Sequence, residues 1–160
     1  DLQYTDPDDP TKKFLPFVVE PSFGCDRTVL TLLLNAYTEE ELEGGDVRIV
    51  MKFDRRIAPI KVAVLPLSKK EALIAKAQEI RDMLVDQMDG NIDFDVTGSI
   101  GKRYRRQDES GTPSCVTIDF GTVGEDAEQG APDTVTVRDR DTLEQVRLPI
   151  SELVTFLKKN

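Results

Sequence analysis

Apolar positions change their spacing several times along the chain, and each change predicts an element. Residues 1–13 are polar and carry Asp-Pro twice, at Asp6-Pro7 and Asp9-Pro10, which reads as a turn-rich connection. Phe14 to Glu20 is a short apolar run with Val18-Val19 and predicts a strand. After Gly24 a helix opens with Asp26 at its cap. From Val29 to Tyr37 that helix is apolar on nearly every side, through Leu30, Leu32, Leu33, Leu34 and Ala36. A helix of that kind is normally buried in a larger protein, and the residues around it are too few to cover it, so its covering domain is expected to be missing from the chain. Residues 38–59 change character: Glu39 to Glu43 is acidic, Gly44-Gly45 breaks the chain, and a mixed segment runs to Pro59. A domain boundary is expected there, dividing 1–57 from 58–160.

Beyond it the pattern is regular. Ile60 to Leu65 is an almost unbroken β-rich apolar run, the signature of a strand covered on both faces. Ser68 and Glu71 have the spacing of a capping box, and Leu73, Ala77, Ile80, Leu84 and Met88 then recur at helical spacing until Gly90-Asn91. Ile92, Phe94 and Val96 alternate with Asp93 and Asp95, which predicts a half-buried strand. A short basic helix through Lys102 to Arg106 is expected to end near Gly111, and Val116, Ile118 and Phe120 alternate as another strand. Residues 121–133 form a Gly- and acid-rich loop. Strands at Thr134 to Arg138 and Gln145 to Leu148 flank a turn, and Ser151 to Lys159 closes with a helix that turns Leu153, Phe156 and Leu157 inward. The order predicts an α/β fold with a mixed sheet of about five strands flanked by helices, preceded by a strand–helix segment. There is no internal repeat and no heptad pattern.

Composition narrows the chemistry. The chain has 160 residues, no histidine, two cysteines and a net charge of −9. Without histidine, Ser-His-Asp and Cys-His mechanisms and His-ligated zinc are excluded, and two cysteines cannot build a structural zinc site. Cys25 and Cys115 read as small buried thiols of a reduced, cytoplasmic protein. No stretch approaches the roughly 18–20 apolar residues of a membrane span, and the N-terminus is not a secretory signal. The first residue is not Met, and a fragment or processed product is expected. An acidic chain has no bulk field that attracts nucleic acid, so RNA binding would need a local basic patch.

Three segments could carry chemistry. In Gly98-Ser99-Ile100-Gly101-Lys102-Arg103-Tyr104-Arg105-Arg106-Gln107-Asp108-Glu109, four cations and an aromatic stand within residues 102–106. Guanidinium groups grip phosphate and stack on bases, but a solvated helix face would look the same. Arg138-Asp139-Arg140-Asp141, followed by Arg147, offers donors and acceptors for a base edge, or else local salt bridges in a turn. Glu20-Pro21-Ser22-Phe23-Gly24-Cys25-Asp26-Arg27 gathers a carboxylate, a hydroxyl and a guanidinium at a strand–helix junction, suited to an amine and a nucleotide or to nothing more than a capped helix start.

Taken together these segments resemble one family. Phe17-Val18-Val19-Glu20-Pro21-Ser22-Phe23-Gly24-Cys25-Asp26-Arg27 is similar to the third signature motif of class II aminoacyl-tRNA synthetases in its glycyl form. Ala58-Pro59-Ile60-Lys61-Val62-Ala63-Val64-Leu65-Pro66-Leu67 resembles the first strand of that family's anticodon-binding domain, and the 98–109 and 135–141 segments resemble two further blocks in the same order. The resemblance implies the dimeric type of glycyl-tRNA synthetase. Residues 1–57 would then be the C-terminal strip of the catalytic domain and 58–160 the anticodon-binding domain. It further implies that Glu20 holds the α-ammonium of glycine, Ser22 lines the same pocket and Arg27 contacts ATP, with Mg as the ion of the full enzyme. Implied partners are the tRNA for glycine, glycine, ATP and a second subunit, but neither DNA nor a membrane. Arg103, Arg106, Asp108, Glu109, Arg138 and Arg140 are the expected anticodon contacts, their guanidinium groups converging beside one sheet. The family's other two motifs are absent, so the chain alone should not form glycyl-adenylate. Cys25 and Ser110 depart from the family's usual aliphatic residues, and the 121–133 loop looks longer than usual. Two readings compete: a non-catalytic accessory module with an anticodon-domain-like fold, and an unrelated α/β domain with charged surface runs.

Overall fold

The computed structural model of the chain describes residues 2–42 and 44–159; Glu43, in the acidic run expected at 39–43, lies outside them. The chain forms two compact units, one ending at Leu30 and the other beginning at Thr31. In the first, β1 (Tyr4–Thr5) pairs antiparallel with β2 (Lys13–Phe14), and the Tyr4 and Phe14 rings meet edge-on at 5.6 Å. The intervening turns are built by Asp6 and Asp9, whose carboxylates accept from the Asp8 and Thr11 backbone N–H at 3.0 and 3.1 Å. The strand expected over Phe14 to Glu20 is confined to its first residue: 15–20 carry no regular structure, and Phe17, Val18 and Val19 are exposed. A strand needs a neighbour for its N–H and C=O groups, and among the described residues of this unit β1 and β2 are each only two residues long. Helix α1 (Cys25–Ala36) starts one residue before its expected cap. The Gly24 carbonyl accepts from Thr28 N–H at 3.0 Å, so Gly24 rather than Asp26 stands at the cap.

The second unit opens with a hairpin that the sequence pattern does not announce, β3 (Tyr37–Glu41) antiparallel to β4 (Val47–Met51). Its turn runs through Gly44 and Gly45, both at positive φ, where a side chain would be strained. The inward face carries Arg48 and Val50, both buried, beside Thr38 and Glu40. A charged inward face hides the period-2 apolar signal.

The remainder is a five-stranded sheet in the order β6-β5-β7-β8-β9. Interior strand β5 (Ile60–Pro66) runs parallel to β6 (Asn91–Phe94) and β7 (Ser114–Ile118); β8 (Thr134–Asp139) and β9 (Gln145–Pro149) continue antiparallel. Alternation on β5 explains its unbroken apolar run. Val62 and Val64 pack with Leu73, Ala77, Ile80 and Leu84 of α2 (Glu71–Gln87) and with Leu153 of α4 (Ile150–Lys159). Ala63 and Leu65 join Cys115 on the opposite face, under Ile100 and Tyr104 of α3 (Ile100–Ser110). Each fully buried Val, Leu or Ile contributes roughly 1.5–3 kcal/mol. The expected capping box does not form: Lys70 occupies the cap of α2 without a side-chain bond, and Ser68 Oγ accepts from Lys70 N–H at 3.4 Å. Among the described residues no helix is long and apolar enough to cross a membrane.

Candidate nucleic-acid interface

Helix α3 places the basic segment, and Gly111 stops it. Gly111 takes the left-handed conformation (φ 77°) and donates to the Asp108 carbonyl, while Thr112 donates to the Gln107 carbonyl. The helix has two polar faces of different fate. Lys102, Arg105 and Glu109 are exposed and Arg106 is half-buried, a stripe at i, i+3, i+4 and i+7. Arg103, Gln107 and Asp108 are buried.

Arg103 is 2% exposed and, among the described residues, faces no carboxylate within ion-pair distance. It donates instead to the Pro66 carbonyl, to the Gly98 carbonyl at 3.1 Å and to the Asp95 carbonyl at 3.4 Å, and its Nε has no partner among the described residues. Burial lowers its pKa. The guanidinium thus closes the carboxyl ends of β5 and β6 and holds the 95–98 turn. Arg106 supports the same turn from outside, donating Nε to Asp95 Oδ2 at 3.0 Å and a terminal nitrogen to the Thr97 carbonyl at 2.6 Å. Burial pushes the Asp95 carboxyl up, but the Arg106 bonds and the Thr97 N–H outweigh it and hold the pKa below the usual range.

Asp108 accepts from two buried guanidinium groups, Arg48 Nε at 2.8 Å and Arg138 at 2.9 and 3.1 Å. Burial alone would raise its pKa; the Arg48 and Arg138 hydrogen bonds and charges win and lower it. Arg138 also stacks over the Tyr104 ring at 4.7 Å, and the Tyr104 hydroxyl meets Thr117 Oγ1 at 2.6 Å. Arg140 donates to three carbonyls, Met51 at 3.1 Å, Gly111 at 2.9 Å and Phe53 at 2.8 Å, and pairs with Asp141 at 2.8 Å. Asp139 caps its own turn by accepting from Asp141 and Thr142 N–H, and it pairs with Arg55.

The expected cationic surface is therefore corrected. Arg103 and Arg106 gather on the 95–98 turn, whereas Arg138 meets α3 at Asp108 and Tyr104 inside the fold, where the guanidinium beside it is that of Arg48. Arg103, Asp108, Arg138 and Arg140 are buried and bonded to protein groups, so they present no face to a nucleotide. Arg106 and Glu109 remain accessible. The sequence reading missed Arg48, the third guanidinium of the cluster, because a single Arg inside an otherwise unremarked segment gives no signal. Arg147 forms a second polar centre on the sheet, with Asp119 at 2.6 and 3.0 Å and Thr134 Oγ1 at 2.8 Å. Gly130 of the 121–133 loop passes so close that an added Cβ would stand 2.1 Å from the Arg147 guanidinium carbon. A side chain there would have to displace the Arg147 guanidinium, at a φ of +147° that other residues rarely adopt.

In the first unit Glu20, Ser22 and Arg27 are exposed, the first two in irregular backbone and Arg27 in the first turn of α1. Cys25, expected to be buried, is exposed, whereas Cys115 is buried, and burial pushes its thiol up to about 12.

Comparison with known proteins places this geometry in a family. Residues 61–160 match the model of the family described as "Anticodon binding domain". Over 159 residues the chain is 54% identical to a glycine–tRNA ligase of Clostridium kluyveri and 52% identical to one of Clostridium acetobutylicum, covering 99% of this chain and 32% of each relative. A glycine–tRNA ligase of Bacillus cereus is 52% identical with the same coverage. The chain thus spans about a third of the length of these relatives. Among solved structures, the fold is shared with the RNA binding domain of threonyl-tRNA synthetase from Cryptosporidium parvum (TM-score 0.56, 21% identity, 68% of this chain and 25% of that one). It is also shared with prolyl-tRNA synthetase of the same organism (TM-score 0.57, 20% identity, 69% and 22%).

Proposed function

Because the chain belongs to the anticodon binding domain family, we propose that it is the tRNA-reading part of a glycine–tRNA ligase, joined at its N-terminal side to the end of the catalytic domain. The observation that carries this reading is identity above one half along 99% of the chain to proteins named glycine–tRNA ligase, a span that takes in both the Glu20–Arg27 segment and the five-stranded fold. An accessory module without a catalytic site would have no use for that first segment. In the proposed enzyme Glu20 holds the glycine ammonium, Ser22 narrows the pocket to the smallest amino acid, and Arg27 contacts ATP, whose phosphates are accompanied by Mg. A carboxylate suits an ammonium and a guanidinium suits a nucleotide. The domain division is 1–57 and 58–160, the working assembly is a homodimer, and the compartment is the cytoplasm.

Anticodon contact falls to the accessible side of α3. Arg106 and Glu109 remain as direct contacts, joined by the exposed Lys102. Arg103, Asp108, Arg138 and Arg140 act beneath them by holding the helix and the adjoining turn. The test is glycine-dependent ATP–pyrophosphate exchange and glycine charging by the full-length polypeptide. Exchange with glycine, and charging lost when the tRNA's anticodon is changed, are expected. Exchange that ignores glycine, or charging indifferent to the anticodon, sinks the proposal.

A further inference from the structure

Arg48 is 3% exposed and plays no part in the function proposed above. Its guanidinium reaches three separate segments: Glu40 on β3 at 2.5 Å, Asp108 on α3 at 2.8 Å and the Arg140 carbonyl in the β8–β9 turn at 2.6 Å. The bonding is reciprocal. Arg140 returns donors to the carbonyls of Met51 and Phe53, at and just beyond the end of β4, and Arg138 takes the other edge of Asp108. The hairpin is also tied to the helix before it, since Lys52 N–H donates to the carbonyl of Ala36, the last residue of α1, at 2.7 Å.

Little of this hairpin's seat is apolar. On its inward face Val50 is buried beside Arg48, with Thr38 and Glu40 next to them. Apolar contact is non-directional and tolerates sliding, whereas a planar guanidinium with carboxylate and carbonyl acceptors on several sides fixes both distance and angle. Buried ion pairs add little net stability over well-packed apolar groups of the same size, so orientation is the property this cluster is suited to supply.

We propose that Arg48, with Glu40, is a positioning residue for tRNA charging: it locks the β3–β4 hairpin to the buried side of α3, so that a tRNA held by the exposed side of α3 is presented in one orientation for glycine transfer. The inference rests on the ligase reading above. Misplacing a bound reactant by about 1 Å, from a change far from the chemistry, can slow a reaction about a hundredfold without weakening its binding.

The experiment uses the full-length enzyme with Arg48→Met and the milder Glu40→Gln, whose carboxylate is only part-buried. Three quantities are read: glycine-dependent ATP–pyrophosphate exchange without tRNA, the tRNA dissociation constant, and the single-turnover rate of glycine transfer to tRNA. For Arg48→Met, exchange within about twofold of wild type and tRNA affinity within about threefold are expected, with transfer slowed roughly tenfold or more. Glu40→Gln should give the same pattern at about threefold, and it decides the matter if Arg48→Met does not fold. Transfer at the wild-type rate in the folded variants, or a loss confined to tRNA affinity, overturns the positioning role. A wild-type enzyme that fails to activate glycine overturns the ligase reading and this inference with it, whereas an active wild type with indifferent variants overturns this inference alone.

Discussion

In β5 every side chain from Val62 to Leu65 is buried, whereas in the run Phe17–Val19 every side chain is exposed, though both stretches are apolar and carry two valines. The difference lies in what the rest of the chain supplies. β5 has β6 and β7 on its edges, α2 above and α3 below, all drawn from the next few elements in sequence. Phe17–Val19 has no strand partner among the described residues, and Phe23 (88% exposed) and Leu34 (71% exposed) continue the same uncovered series into α1. Apolar character sets a demand for burial; neighbours decide whether it is met. The family relatives are about three times as long as this chain, and the ligase reading assigns the missing cover to their remaining length.

The sharpest way to break this contrast is to attack the covered region at its polar heart. Asp108→Asn leaves Arg48 and Arg138 buried against a neutral amide, and breaking a buried pair from one side costs about 3–5 kcal/mol. The expected outcome is a drop of that size in unfolding free energy by denaturant titration; a loss below about 1 kcal/mol would show the cluster to be solvated. The same carboxylate sets an acid limit. Its folded pKa is lowered, so its contribution is complete above the unfolded Asp value of about 3.9 and is lost as pH falls through the folded value. Wild-type stability should therefore decline with acid below about pH 4, more steeply than that of Asp108→Asn.

Paired truncations sharpen the contrast next. Leu84→Ala opens a cavity in the α2–sheet core and should cost about 2–5 kcal/mol. Leu34→Ala removes the same atoms from the surface of α1 and should shift stability by no more than about 0.5 kcal/mol. Equal costs for the two would mean that α1 is covered in the isolated chain.

How much of this could be read from the sequence divides along the same line. Strands β5 to β9 and helices α2 to α4 were legible because their apolar period matches a core they build among themselves, and Gly90 and Gly111 punctuate it. The β3–β4 hairpin was not legible because Thr38, Glu40 and Arg48 occupy inward positions where apolar residues would have given the period. The capping box was a false match, since the helix begins at Glu71 itself. At the candidate interface, charge runs located α3 and the β8–β9 turn but could not tell inward from outward arginines. The i, i+4 relation of Arg103 to Gln107 puts both on the sheet side, while Lys102, Arg106 and Glu109 fall on the other. Only the packing partner decides which side is wet.

A smaller effect tests the punctuation. Gly111→Ala would put a Cβ 2.4 Å from the Phe53 ring and 2.8 Å from the Met51 carbonyl, at a φ of +77°. Strain of this sort costs about 1–3 kcal/mol, visible as a lower Tm. Because Phe53 follows the hairpin directly, the loss should be accompanied by greater hydrogen exchange at Lys52 and Phe53 N–H, which bond Ala36 and Met51 carbonyls. A melting temperature equal to wild type would place the ring elsewhere.

The cysteines report the two regions without disturbing either. Cys25 is exposed at the start of α1 and Cys115 is buried on the α3 side of the sheet. Thiolate is the reactive form, and burial pushes the Cys115 thiol up to about 12 despite the nearby Arg138 charge. In the 160-residue chain at neutral pH a disulfide reagent should therefore modify one thiol per chain quickly. The second should react only at the rate at which the sheet opens, and both should react at once in denaturant. The stoichiometry reads each region directly: two fast thiols in the native chain would mean that α3 does not cover the sheet, and none would mean that the first unit hides Cys25. In Asp108→Asn the slow phase should quicken by the factor that its lost stability predicts, while the fast phase stays where it was, because only the covered region has cover to lose.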